Sequence, residues 1–133
     1  MFSHYLMFNG VCAQALEAYA KAFGATVAEK RTYADVPNPG FEVTEQMKSL
    51  VLHSRLVWDG SELMCADSTD PVRTGGNMYI SMTTDDEALV RQAWAVLADG
   101  GHIHMELTPT FFAAAHGSLQ DRFGVNWMFT ANA

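Results

Sequence analysis

The stretch Leu50-Val51-Leu52-His53-Ser54-Arg55-Leu56-Val57-Trp58-Asp59-Gly60-Ser61-Glu62-Leu63-Met64-Cys65-Ala66 sets the reading of the fold. Leu50–Trp58 is rich in Leu and Val, as strands are. Asp59-Gly60 is the dipeptide that best accommodates the positive backbone angles of a two-residue hairpin, and Ser61–Ala66 returns as the second strand. Along Leu50–Trp58 alternate side chains face opposite ways. Leu50, Leu52, Leu56 and Trp58 fall on one face, Val51, His53, Arg55 and Val57 on the other. The first face is fit to meet a helix; the second carries polar groups.

Upstream, Tyr5–Phe8 is a short apolar run ended by Asn9-Gly10. Cys12, Leu16, Tyr19 and Phe23 then recur at helical spacing, with Asn9 or Gly10 as a start cap and Gly24 as a stop. Thr26–Tyr33 reads as a half-exposed strand. Ala34–Ser49 holds Pro37, the turn Asn38-Pro39-Gly40 and a short helical turn at Thr44–Met47. A loop this long in a small domain is often a lid or a functional segment.

Downstream the order restarts. A second loop, Asp67–Gly76, leads into Asn77–Thr83, which alternates as a strand with Met78, Ile80 and Met82 opposing Asn77, Tyr79, Ser81 and Thr83. Thr84 and Glu87 fit a capping box, and Val90, Ala93, Trp94 and Leu97 form a helical stripe ended by Gly100-Gly101. His102–Leu107 alternates, with Ile103, Met105 and Leu107 opposing His102, His104 and Glu106. A strand at His116–Gln120, a turn at Asp121–Gly124 and a final strand from Val125 to Thr130 complete the chain. The element order is strand, helix, strand, strand, strand, twice over. Each half, of about sixty residues, is too small to cover a sheet alone, so the two copies are expected to pair. The expected class is α+β, two paired βαβββ modules forming a cupped mixed sheet with helices on the outer face. Module one covers about 1–70 and module two about 75–133 of a single domain, 1–133.

Composition bounds the function. The chain has 133 residues, 8 basic against 15 acidic side chains and a formal net charge of -7. Nucleic-acid binding needs a basic footprint, and docking on an anionic membrane needs the same, so neither partner is expected. Cys12 and Cys65 lack metal-site spacing and read as buried, reduced thiols. No signal peptide and no apolar run long enough to span a bilayer is visible, which points to a cytoplasmic protein. No phosphate loop, dinucleotide fingerprint or nucleophile elbow appears.

The polar strand faces nominate a ligand pocket. His53, Arg55, Asn77, Tyr79, His104 and Glu106 are costly to bury unless paired, and a cluster of them suggests a hydrated site for a small molecule. Glu106 in a partly apolar pocket would have a raised pKa and serve as a proton carrier, with Arg55 as its partner or as an anchor for an anion. His102 and His104 lie close enough on one strand to share a zinc ion, with Glu106 at hand. Phe111, Phe112 and Trp58 could wall the pocket with aromatic rings.

Several pieces of sequence, in order, resemble one family. They are Tyr5-Leu6-Met7-Phe8-Asn9-Gly10, then Ala15-Leu16, Tyr19 and Phe23-Gly24, Gly100-Gly101, Thr110-Phe111-Phe112, His116-Gly117, and Asp121-Arg122-Phe123-Gly124-Val125-Asn126-Trp127-Met128. Over nearly its whole length the chain resembles the vicinal oxygen chelate superfamily of glyoxalases, bleomycin-resistance proteins and extradiol dioxygenases, and within it the PhnB-like, demethylubiquinone methyltransferase-like group.

The resemblance implies a homodimer and a small-molecule site inside the cup. Joined with the strand faces, the expected ligand pocket takes in His4, Phe8, His53, Arg55, Asn77, Tyr79, His104, Glu106, Phe112 and Met128. The family's metal positions fall on His4, His53, Asn77 and Met128. Only His4 and His53 are good ligands for a divalent metal, and the carboxylate of a facial triad is missing. Glyoxalase I or extradiol dioxygenase activity is therefore not expected. The leading expectation is a protein that binds a small organic molecule without the full metal triad. The alternatives are a metal-dependent lyase or isomerase using His4 and His53, and a non-catalytic structural dimer.

Overall fold

A computed structural model describes residues 1–36 and 40–133. The strands are β1 (His4–Phe8), β2 (Thr26–Thr32), β3 (Val51–Trp58), β4 (Ser61–Asp67), β5 (Ile80–Thr84), β6 (His102–Thr108), β7 (Ala113–Gln120) and β8 (Asn126–Asn132). The helices are α1 (Cys12–Phe23) and α2 (Glu87–Ala98), and 3-10 turns stand at Tyr33–Asp35 and Glu45–Met47. This is the doubled βαβββ order. The chain divides into two compact units, one of residues 1–20 and 24–72, the other of 21–23 and 73–133. The proposed turn at Asn38-Pro39-Gly40 has its first two residues outside the described ones.

In the first unit the sheet order is β1-β4-β3-β2, with β1 parallel to β4 and the other pairs antiparallel. Asp59 and Gly60 both take positive φ, 49° and 72°, the signature of the twisted hairpin turn that their sequence favours. α1 buries Cys12, Leu16, Tyr19 and Phe23, the stripe expected from their spacing. Gly24 ends it in the left-handed conformation.

The start of α1 differs from expectation. Its N-cap residue is Val11, with no side-chain cap. Asn9 is engaged elsewhere: its Nδ2 donates to the Val72 carbonyl (3.0 Å) and its Oδ1 accepts from the Val72 amide (2.7 Å). The cap comes from the far end of β4. Buried Asp67 accepts from the Cys12 amide with one oxygen and from the Val51 amide with the other, both at 2.9 Å. One carboxylate thus ties together the beginnings of α1 and β3.

The second unit has the order β5-β8-β7-β6, with β5 parallel to β8 and the rest antiparallel. Phe23, the last residue of α1, stacks on Phe129 and also meets Trp127, and Trp94 of α2 meets Phe129 edge-on. Asp121, buried, accepts from the amides of Phe123 and Val125 and from the indole of Trp127. That network explains the Asp-Arg-Phe-Gly-Val-Asn-Trp stretch as a turn clamped to the core.

Three local expectations are corrected. β5 begins at Ile80, so Asn77 lies in the preceding loop and Met78, 73% exposed, does not face a helix. The cap of α2 is Asp86, which accepts from the Leu89 amide, while Thr84 ends β5 and its hydroxyl accepts from the Asp86 amide. β7 begins at Ala113, three residues before His116. Small Ala113, Ala115 and Gly117 hide that start from a hydrophobicity pattern. Gly117 is required: a Cβ there would lie 2.9 Å from the Leu107 Cα.

Candidate functional site

Strand register decides which side chains can meet. In the first unit Ser54 and Cys65 are ladder partners, and Cys12 of α1 reaches Ser54, so their face is the one that α1 covers. His4 pairs with Leu63, which pairs with Leu56, and Leu56 shares the Ser54 face. Phe8 shares it too and is 1% exposed, a core residue. His53 and Arg55 lie on the opposite face. His4 and Phe8 are therefore misassigned as companions of His53. The side chain that β1 does place there is Tyr5, in register with Met64 and, through it, Arg55.

Tyr5 and His53 form a pair. The phenol oxygen lies 2.8 Å from His53 Nδ1, and the rings are 5.7 Å apart. Burial, reinforced by Cys12, Cys65 and Tyr33, raises the Tyr5 phenol above its ordinary pKa. The protonated phenol and the imidazole nitrogen share one hydrogen bond, in which either can be the donor. Beside them Arg55 donates from Nε (3.1 Å) and Nη2 (2.8 Å) to Glu62. This bond, with the Glu62 charge, raises the guanidinium further. Arg55 is thus paired with its hairpin neighbour, not with Glu106.

In the second unit Ile80, Trp127, Leu119 and Ile103 align across the sheet on the α2 face. Ser81, Met128, Ser118 and Met105 align on the opposite face. Met128 lies where strict alternation puts it. Met105 does not, because the ladder slips between Ile103 and Met105. A bulge leaves His104 without a ladder partner and turns Met105 over.

His104 reaches Asn126, Nε2 to Oδ1 at 3.2 Å, and its ring lies 5.9 Å from Tyr79 and 5.3 Å from His102. Asn126 is buried and donates its own amide to the Gly75 carbonyl at 2.6 Å. Further along, His116 bonds Thr130 (3.0 Å) and packs against the Phe112 ring. Phe111 is fully exposed. Glu106 is exposed, between two register breaks, and has no hydrogen bond or ion pair among the described residues.

The structure thus brings His53 and Arg55 to one face of the first unit, and Tyr79 with His104 in the second. Sequence reasoning missed Tyr5 and Asn126 as site residues. Asn126 stands in the expected final strand, but nothing local linked it to His104. The metal positions inherited from the family do not fit a common ion, because His4 and His53 point to opposite faces. Among the described residues no group of three or more His, Cys, Asp or Glu could hold a metal. No helix of the described residues is long and apolar enough to cross a membrane.

Two βαβββ modules, each closing a mixed four-stranded sheet, define the glyoxalase/bleomycin resistance/dioxygenase fold. A fosfomycin resistance protein, FosX, from Listeria monocytogenes shares it, with a TM-score of 0.66, 11% identity and coverage of 100% of this chain and 93% of that one. Protein PA1353 from Pseudomonas aeruginosa is nearer, with a TM-score of 0.87 and 33% identity over 99% of this chain and 97% of its own.

The match to the family model described as 3-demethylubiquinone-9 3-methyltransferase runs over residues 1–130, and the chain belongs to that PhnB-like family. A putative 3-demethylubiquinone-9 3-methyltransferase, PhnB protein, from Bacillus cereus is 28% identical, with a TM-score of 0.77 and 98% of each chain covered. Protein YjdN of Escherichia coli is 26% identical over 95% of this chain and 91% of its own length.

Proposed function

We propose that this protein binds a small organic molecule on the sheet face of its first unit that carries Tyr5, His53 and Arg55. The observation that supports it most is the Tyr5–His53 hydrogen bond. It orients the imidazole and leaves the other ring nitrogen, Nε2, for a ligand on a partly buried face. Met7 and Met64 lie on the same face and offer adaptable apolar contact. Arg55, held by Glu62, adds a guanidinium whose charge is already balanced, which suits a neutral, oxygen-bearing ligand. A homodimer belongs to the same reading and rests on the family resemblance; light scattering should then give twice the mass of the chain.

The test is an NMR screen with a library of neutral and weakly acidic oxygen-rich fragments. Hits are expected to shift the His53 ring and Tyr5 ring signals together. His53→Ala should abolish them without unfolding the chain. Hits that leave both rings unmoved, or that survive His53→Ala unchanged, would overturn the proposal.

A further inference from the structure

We propose that His102 and His104 form a chelate for a divalent transition-metal cation, of which zinc is the probe. This site is separate from the Tyr5–His53 face and does not depend on it. Three observations converge.

The first is distance. A tetrahedral zinc holds imidazole nitrogens at ~2.0–2.1 Å, and each nitrogen lies about 1.1 Å from its ring centre, so two rings on one ion stand about 5.2 Å apart. The rings of His102 and His104 are 5.3 Å apart, with planes at 71°. They already have the spacing of a shared ion.

The second is the tautomer of His104. Asn126 gives its amide nitrogen to the Gly75 carbonyl, which identifies the oxygen as the atom facing His104. That oxygen can only accept, so His104 Nε2 carries the proton. Nδ1 is left with a free lone pair. A ligating histidine usually donates its other ring nitrogen to such an acceptor, which orients the ring and raises its basicity. Asn126 is buried and held from the other side, so it is a positioning residue and not a ligand.

The third is the bulge. His104 is the residue left unpaired where Ile103 faces Leu119 and Met105 faces Ser118. Bulges re-aim side chains, and this one keeps His104 on the Asn126 face, free of a ladder partner, while turning Met105 over. Both histidines are exposed, so an ion can enter and water can fill the remaining positions. Two imidazoles suit zinc, nickel and copper(II) and disfavour magnesium and calcium, with copper(II) the tightest of the divalent series.

The experiment is a zinc titration of uniformly 15N-labelled full-length protein, read in long-range proton–nitrogen spectra of the histidine rings. One equivalent should saturate a joint shift of His104 Nδ1 and one His102 nitrogen, while His104 Nε2 stays protonated. His102→Ala and His104→Ala should each weaken zinc binding roughly tenfold or more. Asn126→Asp, which keeps an acceptor toward His104, should retain it. Magnesium should produce no shift. The proposal is overturned if zinc moves only His4, His53 or His116. It is equally overturned if no saturable shift appears at the pair, or if either alanine variant leaves the affinity unchanged.

Discussion

Replacing Asp67 by Ala should be among the most destabilising single changes in the first unit. The carboxylate is 3% exposed and accepts from two backbone amides, Cys12 and Val51, at 2.9 Å each. Alanine leaves both donors without an acceptor. A buried unsatisfied group costs ~1–3 kcal/mol, so two cost ~2–6 kcal/mol. Removing the carboxylate also relieves the cost of burying a charge, which brings the expected loss to about 2–4 kcal/mol. For a chain of this length that corresponds to a fall in Tm of roughly 6–20 °C.

The assay is urea unfolding followed by far-ultraviolet circular dichroism, comparing midpoints at unchanged slope. Asp70→Ala is the control. Asp70 is exposed and only three residues away, so its loss should stay within about 0.5 kcal/mol. If Asp67→Ala also stays within about 0.5 kcal/mol, the helix start does not depend on the distant carboxylate and the reasoning fails.

Burial and the contact with Cys12 raise the Cys65 thiol far above its ordinary range, the Cys12 bond contributing most. A raised folded pKa means stability that is complete below the unfolded value of about 8.5 and lost as pH rises above it. The wild-type minus Cys65→Ala stability difference should therefore shrink from pH 8 to pH 10, and a flat difference would contradict it. Both thiols should also resist an aromatic disulfide reagent until the chain is unfolded; rapid native labelling would show that they are accessible. Gly101→Ala should cost about 1–3 kcal/mol, because its Cβ would collide with the Gln120 carbonyl oxygen, and a neutral result in the same urea assay would rule out that backbone contact. Arg55→Ala should cost no more than ~1 kcal/mol, since its partner Glu62 and Arg55 are both partly exposed. Loss of ligand binding in that variant with stability kept would then report on recognition.

The doubled βαβββ order was legible because its signals are local. Asp59-Gly60 needs no partner to favour a hairpin, and Cys12, Leu16, Tyr19 and Phe23 mark a buried stripe by spacing alone. The candidate site was only half legible. His53, Arg55 and His104 stand on the faces that alternation assigned, while Tyr79 reaches the His104 ring from the loop before β5. His4 and Phe8 were misplaced, because every side of β1 is apolar enough to serve as core, and its parity is set by register with β4. Asn77 failed because polar residues just before a strand continue its alternation without joining the ladder.

What the chain alone determined was therefore the number, kind and order of elements, since backbone preferences and hydrophobic period act within a few residues. What only the tertiary structure decided was pairing. Parallel register put Tyr5 beside His53, the β8 register brought Asn126 to His104 while a bulge inverted Met105, and Asp67 capped a helix that begins 55 residues earlier. Each of these depends on hydrogen bonds between segments far apart in sequence, and a shift of one residue in any ladder would send the same side chains to the other face.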